Sequence, residues 1–167
     1  MLRVIGIGAI VLCSTMTGMY MSSMLSQKVS ALEDCISLMG FFAERLRFLR
    51  PSTASLIESA SEMDQFSRLN FLTYCSGEMR RGVAFPVAWR LALAKNPGSI
   101  GAQIELIEPL ADTLGSTGLD NQLSSLSFTR TLLEERLSAA RDHRDKSSKM
   151  YRSMGILCGI ALAIILL

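Results

Sequence analysis

Hydrophobic and polar positions divide this chain into two apolar ends and a patterned middle. Val4–Leu25 and Met154–Leu167 contain no charged residue, whereas the stretch between them repeats apolar positions at spacings of three and four. That repeat marks amphipathic helices, and no stretch alternates with period two over the length of a strand. Val29, Leu32, Ile36, Met39, Ala43 and Leu46 lie on one face of a first helix over Gln27–Leu49, widened by Cys35, Phe42 and Leu49. Pro51 ends it, because the residue before a proline is pushed out of helical geometry.

Ser52 and Thr53 cap a short second helix over Ala54–Ser61, with Leu56, Ile57 and Ala60 apolar. A third helix is expected from Asp64, with Phe66, Leu69, Phe71, Leu72, Cys75 and Met79 inward and Gly82 closing it after Arg80 and Arg81. Basic residues at a helix carboxyl end are favourable against the helix dipole. Val83–Ala94 reads as a fourth helix, with Pro86 in its first turn and Trp89 beside Phe85 and Leu93. Asn96-Pro-Gly-Ser99 breaks the chain. A fifth helix takes Ile100–Leu114, kinked at Pro109. Gly115-Ser-Thr-Gly118 then turns into a long last helix from Asp120, whose seam is Leu119, Leu123, Leu126, Leu133, Leu137 and Ala140. The fold class is all-α: a compact bundle of about six helices.

A spanning helix needs about 20 apolar residues. Val4–Leu25 has that length, although its serines and threonines make its second half only moderately hydrophobic. A cleaved signal peptide is the rival, since Arg3 precedes the apolar stretch, but no A-x-A-like site follows Gly18. Met154–Leu167 is shorter than a full span and relies on bilayer thinning and on snorkelling of Lys149 and Arg152. It is expected to continue the last helix. The chain thus divides into an amino-terminal anchor over 1–26, a helical domain over 27–149, and a carboxyl-terminal membrane segment over 150–167. Lys28 on one flank and Arg141, Arg144, Lys146, Lys149 and Arg152 on the other place the domain in the cytoplasm.

Charge refines the picture. Between Gln27 and Glu135 there are 10 Lys/Arg against 13 Asp/Glu, whereas Arg136–Arg152 has 6 basic residues against 2 acidic. A basic flank beside an apolar segment suits anionic lipid headgroups, at roughly 1 kcal/mol per residue near the surface. Nucleic acid is the competing partner, but no aromatic interleaving or nucleic-acid motif accompanies the charge.

Candidate chemistry is sparse. Cys13 and Cys158 lie in the apolar ends, and Cys35 and Cys75 sit on apolar helical faces, so no disulfide framework or zinc site is expected. The lone His143 lies in a solvated charged run. Leu114-Gly-Ser-Thr-Gly118 lacks the lysine of a phosphate loop, and Gly6-Ile-Gly8 lacks a third glycine. No cofactor is expected. Arg80, Arg81, Glu105 and Glu108 are candidate partner-binding positions on helix surfaces. Gly155 and Gly159 form G-x-x-x-G, and Ser14, Gly18 and Ser22 form a small-residue stripe; both allow close packing of membrane helices, within or between chains.

The helix of Gln27–Leu49 ending at Pro51, the Ala88-Trp89 pair, Leu114-Gly115 followed by Asn121-Gln122, and Lys149-Met-Tyr-Arg-Ser-Met-Gly155 before an apolar end together resemble the stage III sporulation protein AB family. Gly115-Ser-Thr-Gly-Leu-Asp120 departs from the shorter Gly-x-Ser-Asp turn usual there. The resemblance implies a helical domain similar to the cytoplasmic domains of F-type platform proteins of type II secretion and type IV pilus systems. It also implies a place in the channel complex between mother cell and forespore, with the secretion-type ATPase stage III sporulation protein AA as partner. The alternative is a membrane-anchored helical signalling or adaptor protein unrelated to secretion.

Overall fold

The computed structural model describes residues 26–166, the side chains of Ser99, Ala102 and residues 143–166 excepted. Among the described residues there is no strand: helix α1 over 26–48 is followed by six further α-helices and two 3-10 segments. The amino-terminal anchor with Cys13, Ser14, Gly18 and Ser22 lies outside the described residues, as do the side chains of His143, Gly155, Cys158 and Gly159. Among the described residues no helix is long and apolar enough to cross a membrane. The chain divides into two compact units, Lys28–Ser138 and the ends Met1–Gln27 with Ala139–Leu167; the helical bundle is the first.

Helix α1 buries Val29, Leu32, Cys35, Met39, Phe42 and Leu46, as its periodicity predicts, together with Ala31, Asp34 and Leu38. Its buried face is therefore rotated toward Leu38, and Ile36 is left half-buried. Leu49 is a correction. The helix stops at residue 48, so the seven-residue spacing no longer keeps Leu49 in register, and it is exposed. The amides of Leu49 and Arg50 both donate to the Arg45 carbonyl, at 2.9 and 3.2 Å. Arg50 then turns the chain with φ 46°, ahead of Pro51.

Helix α2 (Thr53–Ser61) begins where its cap predicts: the Ser52 hydroxyl accepts from the Ser55 amide at 3.2 Å. The predicted third helix is in two pieces, a 3-10 turn over Asp64–Phe66 and helix α3 (Asn70–Arg80). Leu69 lies between them at φ −89°, ψ 66°, outside helical geometry; no glycine or proline announces that break. Arg81 and then Gly82 at φ 89° end α3, where the glycine signal placed its end.

Helix α4 (Phe85–Lys95) opens on Pro86 and buries Trp89 completely. Its partners include α3, which also packs on α2. The Trp89 ring meets Phe71 edge-on at 5.2 Å and Phe85 at 5.5 Å. The predicted fifth helix is the second correction: a 3-10 segment over Gly98–Gln103, then single turns α5 (Ile104–Ile107) and α6 (Leu110–Thr113). Pro109 has no N–H to give Glu105, and the amides beyond it bond three residues back, Ala111 to Glu108 and Asp112 to Pro109. The Ile107 carbonyl accepts instead from the Trp89 indole at 3.0 Å. The break thus becomes an anchor between α4 and the segment around α5, and Ile107, Leu110, Ala111 and Leu114 still reach the core.

Helix α7 runs Leu119–Leu166. Within the bundle it buries Gln122, Leu126, Thr129, Leu133 and Leu137, so polar Gln122 and Thr129 fill a seam that a search for leucines alone leaves with gaps. Gln122 donates to the Thr117 carbonyl at 2.7 Å, fixing the turn before the helix. Gly115 in that turn has φ 81°, and a β-carbon there would collide with the Thr53 side chain at the start of α2.

Candidate functional site

The surface of the bundle is laced by arginine–carboxylate pairs. Arg80 pairs with Glu58 at 2.5 Å and Glu62 at 3.9 Å, tying α2 to α3, and Arg81 pairs with Glu78 at 2.8 Å within the end of α3. Arg90 reaches Asp112 at 2.5 Å and Glu108 at 3.8 Å, Arg136 reaches Glu105 at 3.7 Å, and Arg130 holds Glu134 at 2.8 Å. The four predicted partner-binding residues therefore all have intramolecular ion pairs, in two separate groups. Arg80 bridges α3 to α2 and Arg81 pairs locally within the end of α3, while Glu105 and Glu108 reach α7 and α4 from the segment around α5. Being solvent-exposed, such pairs contribute about 0–1 kcal/mol each and exchange readily for a partner's charges.

The ion pair of Arg68 with Asp34 differs from these. Arg68 Nη2 donates to Asp34 Oδ1 at 2.9 Å, and its Nε lies 2.9 Å from Oδ2 at ion-pair distance but outside hydrogen-bond geometry. Asp34 is buried on α1 and Arg68 follows the 3-10 turn, so the pair fastens that turn to the first helix. Phe41 on α1 meets Phe66 of the same turn at 5.7 Å.

Nothing in the bundle is poised for covalent chemistry. Cys35 and Cys75 are free and buried. Burial pushes both thiols up to about 12, with the Asp34 carboxylate adding to the effect on Cys35, so neither supplies a thiolate near neutrality. Among the described residues no three His, Cys, Asp or Glu are grouped to hold a metal ion. Among the described residues the recesses are open grooves, one of about 880 Å³ running between α1 and α7 beside Phe41, Phe48 and Leu123.

What periodicity missed is the end of α1. Arg45-Leu-Arg-Phe-Leu-Arg50 exposes Arg47, Phe48, Leu49 and Arg50, with Arg45 half-buried beside them. The signal in the sequence is arginines interleaved with hydrophobes ahead of Pro51.

The candidate site among the described residues is thus a set of charged and apolar surfaces on the helical bundle. No curated protein matches the chain, nor does any solved structure. A family model does match, over residues 3–167, and the chain belongs to the stage III sporulation protein AB family.

Proposed function

We propose that the protein is a non-enzymatic platform subunit of the sporulation channel complex between mother cell and forespore. Its helical domain faces the mother-cell cytoplasm and docks a secretion-type ATPase. The observation that carries this reading is a helical bundle with a charged surface, set between two charge-free apolar ends in a chain of a sporulation family. Membrane attachment at both ends would restrict the orientation of the bundle relative to the bilayer. A partner's force would then reach the membrane through helices and not through a loose linker.

The test is co-purification of the full chain with the stage III sporulation protein AA-type ATPase from detergent extracts of sporulating cells. Charge reversal at Arg80 and Arg81, or at Glu105 and Glu108, is included to locate the interface. The expected result is stoichiometric capture that some surface reversal abolishes; failure of the unaltered chain to retain the ATPase would sink the reading. Labelling of single cysteines at residue 167 and in the bundle with a membrane-impermeant reagent, applied from outside to non-sporulating cells that carry the full chain in the plasma membrane, tests the two mounts. A residue 167 that is shielded while the cells are intact and reactive after lysis leaves only one.

A further inference from the structure

The arginines of Lys28–Ser138 fall into two groups. Arg68, Arg80, Arg81, Arg90, Arg130 and Arg136 each have a carboxylate partner within the bundle. Arg45, Arg47 and Arg50 have none among the described residues; Arg45 lies over the Phe41 ring at 5.1 Å, and the other two extend from the end of α1. Within Lys28–Ser138 the other six arginines each pair with a carboxylate, and these three stand together within six consecutive residues.

The apolar surface coincides with them. Phe48 is 77 % exposed and Leu49 63 % exposed, the two most accessible positions among the four exposed large hydrophobics apart from Phe128 at 66 %. Beside Phe48 runs the groove between α1 and α7, whose apolar wall includes Met39, Met63 and Leu126 and whose one carboxylate is Glu44. An aromatic anchor ringed by arginines is the composition of an interface centre, and arginine and aromatic residues are what such centres favour.

Backbone geometry adds an independent observation. Arg50 has φ 46°, a left-handed conformation that glycine or asparagine adopts with little strain and arginine does not. Helix ends that need this conformation normally use glycine. Retaining arginine there keeps a cation in place at a cost to the fold, and such exceptions concentrate at functional positions.

We propose that this corner is the docking site for an acidic segment with one apolar face, presented by a cytoplasmic protein partner. The proposal rests on the ATPase-docking reading, on which that partner is the ATPase, and it names the surface used. Charge complementarity sets the acidic character; Phe48, Leu49 and the groove set the apolar face. A protein fits better than the bilayer because the 26–48 helix, at about 1.5 Å per residue, carries Phe48 roughly 33 Å along its axis from the residues that follow the apolar amino-terminal segment.

The experiment places a photo-crosslinking phenylalanine analogue at position 48 of the full chain in sporulating cells, with the same analogue at exposed Val87 on α4 as control. Expected is an adduct at 48 and not at 87, mapping by mass spectrometry to an acidic, apolar-faced segment of the ATPase. Arg47→Glu with Arg50→Glu lowers its yield at least tenfold, while Arg80→Glu with Arg81→Glu leaves it within twofold. Arg50→Gly separates charge from folding: it melts no lower than the unaltered chain and still loses adduct. An adduct insensitive to the reversals, an adduct only to lipid or to a second copy of this chain, or no adduct overturns the proposal. If the ATPase co-purifies but does not crosslink at 48, the surface is wrong while ATPase docking stands. A charge-sensitive adduct to an acidic segment of another identified cytoplasmic protein upholds the surface and removes the ATPase.

Discussion

Trp89→Phe tests whether the indole holds the broken segment around Pro109 to the rest of the bundle. Trp89 is fully buried between Phe71 and Phe85, and its N–H satisfies the Ile107 carbonyl, whose surroundings turn in single, separate helical turns. Shrinking the ring costs about 1 kcal/mol of apolar burial and about 1 kcal/mol for the space left behind. The stranded carbonyl adds about 1–3 kcal/mol, because water has no path to a group at this depth. A total of about 3–5 kcal/mol corresponds, for a bundle of this size, to a fall of roughly 15–25 °C in Tm. The assay is thermal and urea unfolding of the full chain in detergent followed by circular dichroism, with amide exchange at Ile107–Thr113 as local readout. The expected local signature is faster exchange there than in α3. A loss of no more than about 2 kcal/mol, which burial and the vacated space supply without the hydrogen bond, together with unchanged exchange would refute the anchoring role.

Three further outcomes follow from other contacts. Gly115→Ala combines a left-handed backbone with a collision at Thr53 and should cost about 2–4 kcal/mol, whereas Gly118→Ala, which meets nothing within 4 Å, should stay within about 0.5 kcal/mol; urea midpoints distinguish them. Arg68→Leu strands the buried Asp34 carboxylate and should cost about 2 kcal/mol, tempered by the exposed guanidinium, with Asp34→Asn recovering part of it in a double-mutant cycle. In a Cys13→Ser, Cys158→Ser background, Cys35 and Cys75 should resist maleimide at pH 8 until the protein unfolds. Because folding raises both thiols from about 9 to about 12, their contribution to stability is intact below pH 9 and lost as pH climbs toward 12. Rapid native labelling of either cysteine would contradict that burial.

How far the fold was legible depended on whether a local signal stood where the chain changed direction. Ser52 acts through its own hydroxyl, and Pro86 and Gly82 through their backbone geometry, so α2, α4 and the end of α3 fall where those residues place them. The break at Leu69 has no such signal; it serves packing of Phe66 and Leu69, which only the tertiary structure specifies. At Pro109 the signal was present but its size was not: one missing N–H was expected to kink a helix, and the chain divided into single turns because Trp89 took up the freed Ile107 carbonyl. The α7 seam concealed its polar members, Gln122 and Thr129, since hydropathy does not mark a buried amide whose bond is made to a turn five residues earlier.

The error at Leu49 has a different physical origin and bears on function. Periodicity extends a buried face for as long as the pattern of residues permits, and Leu49 fits the face defined by Cys35 and Phe42. The backbone ends that face one residue earlier and reverses through Arg50 in a conformation unfavourable to arginine. Phe48, Leu49, Arg47 and Arg50 are consequently exposed, while Arg45 lies half-buried over the Phe41 ring. Local preference and tertiary outcome agree along most of this bundle, and in minimally frustrated sequences they are expected to. Where they part at the end of α1, Phe48 and Leu49 gained no burial, and Arg47 and Arg50 gained no carboxylate partner among the described residues, so neither core packing nor internal ion pairing accounts for the composition of the corner proposed above as a docking surface.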